Sequence, residues 1–202
     1  ELLENLLLDL KKIDCHAVKF QAYNIDMIKE HPLRDRLMKS AVTELNVEKI
    51  NELSKKIGIE WFCTPMYPEA VKFLEPFVKR YKIRESDVRV LMKNSTSPLI
   101  DQILDTDKEV IVSTNKNPSK TKFYKNQKIK WLYCVPKYPC TLEEINFKEM
   151  KDFDGYSNHC NNIIAPLTAS ILGADILEVH VTADKNKDFI YSVFTFSLSW
   201  HI

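Results

Sequence analysis

The stretch DGYSNHC, residues 154–160, carries Ser157 and His159 two positions apart. ILEVHVT, residues 176–182, carries Glu178, His180 and Thr182 at the same spacing. Side chains two apart on a β-strand point to one face, so each segment presents its polar groups together. Two imidazoles meeting at one point, with water and a substrate oxygen, suit a divalent cation with open coordination positions. Upstream, Lys19 and Gln21 share a face of HAVKFQ and Thr64 ends EWFCT. Lys93 ends VRVLMK, Ser113 and Thr114 end EVIVST, and Tyr138 follows LYCV in a loop. A lysine is costly to bury unpaired. Lys19 and Lys93 converging on one mouth would therefore point to an anionic ligand, a phosphate or a carboxylate.

Taken singly, these residues have ordinary explanations. A strand-end lysine is usually solvated, and a histidine within EVHVT is usually a hydrogen-bonded core residue. Joint placement at six strand ends is what points to a site. His16, His31 and His201 lack such company and read as surface or structural residues. Cys63, Cys134 and Cys160 lie in or beside apolar segments and read as small core residues.

The elements that must position these groups alternate along the chain. Residues 1–12 form a helix with a stripe of Leu2, Leu3, Leu6, Leu7 and Leu10. NVEKINELSKKIGI is a second helix with Asn46 as its cap. PEAVKFLEPFVKRY is helical with a break near Pro76, and NIIAPLTASILGA is a buried helix stopping near Gly173. HAVKFQ, EWFCTP, VRVLMKN, EVIVST, IKWLYCV, DGYSNH and DILEVHVTA read as seven strands. Alternating βα units imply parallel strands with right-handed crossovers. Polar residues gathered at strand C-terminal ends favour a (β/α)₈ TIM barrel. A doubly wound open sheet is the alternative, and it would show glycine-rich first turns. The chain opens on a helix and stops soon after its last strand. Residues 1–202 therefore read as a single barrel domain that is incomplete, a fragment missing its first strand and last helix. The strands at HAVKFQ and ILEVHVT are then expected to leave unpaired edges, which invite self-association.

The 202 residues are 45% hydrophobic and 28% charged with a formal net charge of +1. That suits one globular domain and gives no reason to expect nucleic-acid or anionic-membrane binding. No apolar run nears the roughly 20 residues of a membrane helix. Five cysteines without CxxC spacing fit reduced thiols and a cytoplasmic location. Only three glycines leave no GxGxxG or Walker loop, so lysines, hydroxyls and backbone amides must hold any phosphate.

At these residues the chain resembles the sialic acid synthase family: N-acetylneuraminate synthase and its legionaminate and pseudaminate relatives. HAVKFQ is similar to the family's ADAVKFQ, and WFCTPMYPEAVKFLE resembles FFSTPFD with its following helix. LYCVPKYPCTLEEIN resembles LHCVSLYPTPYEDVN. GYSNH is similar to GYSDH, and GADILEVHVTADKN to GAKVIEKHFTLDKN. The matches keep the family's order from about residue 2 to 187.

The resemblance implies a transferase on a (β/α)₈ barrel that condenses phosphoenolpyruvate with an N-acetylated hexosamine. The product is a nine-carbon acidic sugar, and phosphate is released. It implies His159 and His180 as ligands of a divalent metal, Mn²⁺ or Mg²⁺, acting as a Lewis acid on the sugar aldehyde. Lys19, Thr64, Lys93, Ser113 and Ser157 match phosphoenolpyruvate-holding positions, with Ser95 or Thr96 adding a hydroxyl. Gln21 and Tyr138 lie where the sugar sits. Catalysis is expected of His159, His180, Lys93 and Glu178. The resemblance also implies a homodimer of the full-length protein, in which a C-terminal antifreeze-like domain reaches over the partner's active site; that domain is not expected within residues 1–202. MKNSTSPLI departs from the family's KIGSGE…PLI, Pro136 replaces a polar residue, and the family's GxNHxG strand is expected upstream of residue 1. The rival readings are a metal-dependent aldolase-type barrel and a non-catalytic sugar- or phosphate-binding barrel.

Overall fold

The computed structural model describes residues 1–181 and the backbone of 194–198. Thr182 and His201 lie outside the described residues. Strands β1 (Ala17–Ala22), β2 (Glu60–Pro65), β3 (Arg80–Ile83), β4 (Glu109–Thr114), β5 (Ile129–Tyr133), β6 (Gly155–Ser157) and β7 (Ile176–Val181) follow in order. Each pairs in parallel with the next. A further strand, β8 (Phe194–Leu198), runs antiparallel to both β1 and β7 and closes the barrel. The number of parallel strands, seven, agrees with the sequence reading, six of them in the expected segments. The expected open edges do not occur, because β8 pairs with both strands that would have carried them.

Around the barrel run α1 (Leu2–Lys12), α2 (Ile25–Ile28), α3 (Arg34–Ser40), α4 (Val47–Ile57), α5 (Pro68–Leu74), α6 (Glu85–Val88), α7 (Pro98–Asp105) and α8 (Ile164–Ile171). α1 buries Leu6, Leu7 and Leu10, while Leu2 stays exposed. α4 stops at Gly58, whose φ of 73° is left-handed and whose N–H reaches Ser54 O and Lys55 O. Asn46 precedes α4 without capping it by its side chain; instead it ties Thr43 N and Ala41 O.

Two elements differ from expectation. VRVLMK is not a strand: it spans the end of α6 and a 3-10 turn, Leu91–Lys93. Its apolar residues Val88 and Leu91 join the helix-facing core. The strand lies earlier, at Arg80–Ile83, because the helical run ends at Leu74 and leaves RYKI free to pair. α8, expected to be buried, packs only Ala165, Pro166 and Ala169 inward. Ile164, Leu167 and Ile171 are exposed, Ile171 at 86%.

Strand periodicity sorts the core into two shells. Val18, Trp61, Tyr81, Ile83, Val110, Val112 and Trp131 face the helices in one large cluster. Ala17, Phe62, Ile111 and Leu132 form a small inner cluster, with Ile176 packed on it. Gly155 completes this layer, since a Cβ there would fall 2.0 Å from Ile176 O. β6 therefore approaches β7 too closely for any side chain. Two residues further along five of these strands the inward face turns polar: Lys19, Thr64, Ser113, Ser157 and Glu178, all buried, with Lys82 from β3; after β5 the corresponding residue is Cys134. At the opposite end, Arg80 lies 2.8 Å from both Glu60 and Glu109. Arg80 Nε makes no aligned hydrogen bond there, so that contact is electrostatic.

Candidate active site

Lys19, Gln21, Thr64, Lys82, Ser113, Tyr138, Ser157, His159, Glu178 and His180 line one cavity of about 560 Å³ at the barrel mouth. Its centre is the Glu178 carboxylate. Oε1 accepts from Ser157 Oγ at 2.7 Å and lies 3.5 Å from Lys19 Nζ and 3.7 Å from Lys82 Nζ. Lys82 also donates to Ser113 Oγ. Burial works to raise the Glu178 carboxyl, but Lys19, Lys82 and the Ser157 bond outweigh it and hold it at about 2. Burial lowers Lys82 to about 8, against the pull of Glu178. Two buried atoms here, Glu178 Oε2 and Thr64 Oγ1, have no hydrogen-bond partner. Buried polar atoms are ordinarily satisfied, so these face a space that a polar ligand would complete.

The second cluster is aromatic. His159 follows β6, His180 is on β7, and their ring centroids are 5.9 Å apart. Tyr138 stacks on His159 with centroids 3.6 Å apart. Its hydroxyl contacts His159 Nε2 and lies 3.2 Å from His180 Nε2. Val135 O accepts from His159 Nδ1, which leaves the Nε2 lone pair directed at the mouth. Burial pushes His159 down to about 3, despite that carbonyl. Burial and then Lys19 lower His180 as well, although it is the more open of the two rings. Both rings are neutral at pH 7, the form that binds metals. Among the described residues, no group of three or more His, Cys, Asp or Glu is arranged to hold a metal ion. Two imidazole nitrogens converging on one hydroxyl make a partial donor set, which fits a cation completed by water or substrate.

Of the residues expected to bind substrate or metal or to act in catalysis, all but three line this cavity. Lys93 is exposed on its 3-10 turn and lines a separate surface cavity with Lys116 and Lys120. Ser95 and Thr96 follow in the loop before α7, away from the mouth-lining set. Lys82 takes the inward place expected of Lys93. The sequence held a signal for it: YKIR at 81–84 repeats the apolar–Lys–apolar–polar pattern of VKFQ at 18–21. Arg84, also at the mouth, pairs with Asp87 at 2.5 Å.

Comparison with known proteins places this geometry. The sequence model described as "NeuB family" matches residues 7–197. An uncharacterized protein of Methanocaldococcus jannaschii is 30% identical over 92% of this chain and 58% of its own length. N,N'-diacetyllegionaminic acid synthase of Campylobacter jejuni is 30% identical over 71% of this chain and 47% of its own. The Bacillus subtilis spore coat polysaccharide biosynthesis protein spsE superposes with a TM-score of 0.72 at 22% identity. It covers 92% of this chain and 56% of that one, and at that identity it speaks for the fold alone. The chain spans about half the length of the curated relatives it matches.

Proposed function

The chain belongs to the NeuB family, and on that premise we propose that it condenses phosphoenolpyruvate with an N-acetylated hexosamine, releasing phosphate and forming a nine-carbon acidic sugar. The observation that carries the reading is the buried Lys19–Glu178–Lys82 cluster beside two neutral imidazoles. The ammonium groups of Lys19 and Lys82 would hold the phosphate and carboxylate of phosphoenolpyruvate. Thr64, Ser113 and Ser157 would orient its oxygens. Lys82 takes the role that the sequence reading gave to Lys93. Gln21 and Tyr138, on the solvent side, would meet the sugar.

Charge balance supports a cation as well. Two lysines less one carboxylate leave a single positive charge. Phosphoenolpyruvate brings about −3, a phosphate ester near −2 and a carboxylate of −1. His159 and His180 would hold the divalent ion that makes up the difference, manganese or magnesium. When bound, that ion supplies Lewis-acid polarisation of the sugar aldehyde. The chain's own residues do the rest. As C3 of phosphoenolpyruvate bonds to the aldehyde carbon, positive charge develops at C2. Glu178, ionised at any working pH, offsets it without reorganisation. Water adds at C2, and collapse of that centre expels phosphate.

The test is phosphate release from phosphoenolpyruvate with Mn²⁺ and a panel of N-acetylated hexosamines. Release that requires the sugar supports the reading, and none with any sugar sinks it. His180→Ala and His159→Ala should each abolish Mn²⁺ binding measured by calorimetry.

A further inference from the structure

Cys140 and Cys160 are brought together although neither the barrel nor the proposed chemistry requires it. Cys140 lies in the loop after β5 and Cys160 in the loop after β6. They are partners in an isolated parallel bridge outside the named strands. The Cys140 N–H donates to His159 O at 2.9 Å, which holds the two loops together at the thiol pair. Paired strands run about 4.7–4.9 Å apart, within the Cα separation of about 4.4–6.8 Å that a disulfide spans. The bridge thus brings the two residues within the reach of a disulfide. The other thiols sit elsewhere: Cys15 donates to Ala17 O at 3.3 Å, and Cys63 and Cys134 are wholly enclosed.

We propose that Cys140 and Cys160 form a redox-responsive pair that closes to a disulfide under peroxide, fastening Tyr138 over His159 and His180. One thiol takes oxygen from hydrogen peroxide to become a sulfenic acid, releasing water. The second thiol displaces that oxygen as a second water, and the S–S bond forms. Two thiols and one hydrogen peroxide thus yield one disulfide and two waters, the thiols being oxidised and the peroxide reduced. Both residues are buried, Cys140 at 4% and Cys160 at 7%, and burial raises the Cys140 thiol, so closure is slow and needs sustained peroxide. Tyr138 stands two residues before Cys140, and His159 immediately precedes Cys160. The covalent link therefore joins the loop carrying the phenol to the loop carrying the imidazole on which it stacks. With that link made, Tyr138 cannot withdraw, and its hydroxyl keeps the point on which both Nε2 atoms converge. The pairing of the thiols stands apart from the proposed reaction, whereas its effect on the mouth rests on the metal role given to His159 and His180.

The reduced chain should be treated with hydrogen peroxide, denatured, and its thiols counted. The count is expected to fall from five to three. Non-reducing peptide mapping should link Cys140 to Cys160, and dithiothreitol should reverse the link. In Cys160→Ser the link cannot form. A wild-type count that stays at five, or a link between other cysteines, overturns the pair. Mn²⁺ binding by electron paramagnetic resonance supplies the second readout. It should be lost on oxidation of the wild type and unaffected by oxidation in Cys160→Ser. Equal Mn²⁺ binding in both wild-type states overturns the fastening of Tyr138. No Mn²⁺ binding even when reduced overturns the metal role and the fastening together, while the thiol count still decides the pair.

Discussion

The two ends of the barrel carry opposite charge arrangements. At the closed end one guanidinium, Arg80, sits between two carboxylates, Glu60 and Glu109. At the mouth one carboxylate, Glu178, sits between two ammonium groups, Lys19 and Lys82. The closed-end groups are partly solvated, and Lys79 lies 3.9 Å from Glu60 as further compensation. Atoms without an aligned hydrogen bond occur at both ends, but Glu60 Oε1, Arg80 Nε and Glu109 Oε1 each lie in an ion pair. The mouth trio is more deeply buried, keeps a surplus positive charge, and has Glu178 Oε2 and Thr64 Oγ1 without partners. A self-neutralising cluster serves structure. A buried cluster with excess charge and orphaned polar atoms is half of a complex.

The sharpest way to break this comparison is Glu178→Gln. Removing one member of a buried ionic cluster ordinarily costs about 3–5 kcal/mol, so the urea-unfolding midpoint at pH 7 should fall accordingly. A loss below about 1 kcal/mol would mean that the lysines do not depend on Glu178.

Lys82→Met comes next. It should weaken phosphoenolpyruvate binding by about 1.5–3 kcal/mol, the worth of a charge-assisted hydrogen bond. Calorimetric titration would check it, with Lys93→Met as the matched control expected to leave affinity unchanged. The reverse result would return Lys93 to the site.

The pH dependence of anion binding sharpens the same point. Burial lowers Lys82 to about 8, so its charge is present below that pH and lost above it. Affinity should hold from pH 7 to 8, then fall by up to about tenfold per pH unit, the slope for loss of one proton. In Lys82→Met that decline should flatten. Arg80→Met is expected to have the smallest effect, about 1 kcal/mol of stability or less and no change in phosphoenolpyruvate affinity. A loss of affinity there would show that the two ends are coupled.

Much of this was legible in the sequence because the barrel repeats one instruction. An apolar inward residue is followed two positions later by a polar one: Ala17 then Lys19, Phe62 then Thr64, Ile111 then Ser113, Ile176 then Glu178. Period-two alternation fixes which face each occupies, so six strands and most of the mouth could be read directly. β3 escaped because RYKI has four residues and directly follows a helical run. VRVLMK drew the assignment instead, since alternating β-branched and apolar residues can equally line a short helix and turn against a core. The outward apolar face of α8 was illegible for another reason. Hydrophobicity marks a residue as able to be buried, and only the packing of neighbours decides whether it is. The thiol pair was hidden because Cys140 and Cys160 belong to loops on successive strands, which sequence separation alone does not bring together.

The pairing of β8 with β1 also bears on how the chain reaches its shape. Ala17 and Ser197 are register partners, about 180 residues apart. Contacts so distant in sequence slow folding, because chain entropy is lost before the contact returns any energy. During synthesis the early strands emerge long before the segment that caps their edge, so a growing chain spends that interval as an unclosed sheet. Such species associate readily. Yield on refolding should therefore depend on protein concentration more steeply than the stability of the finished barrel would suggest.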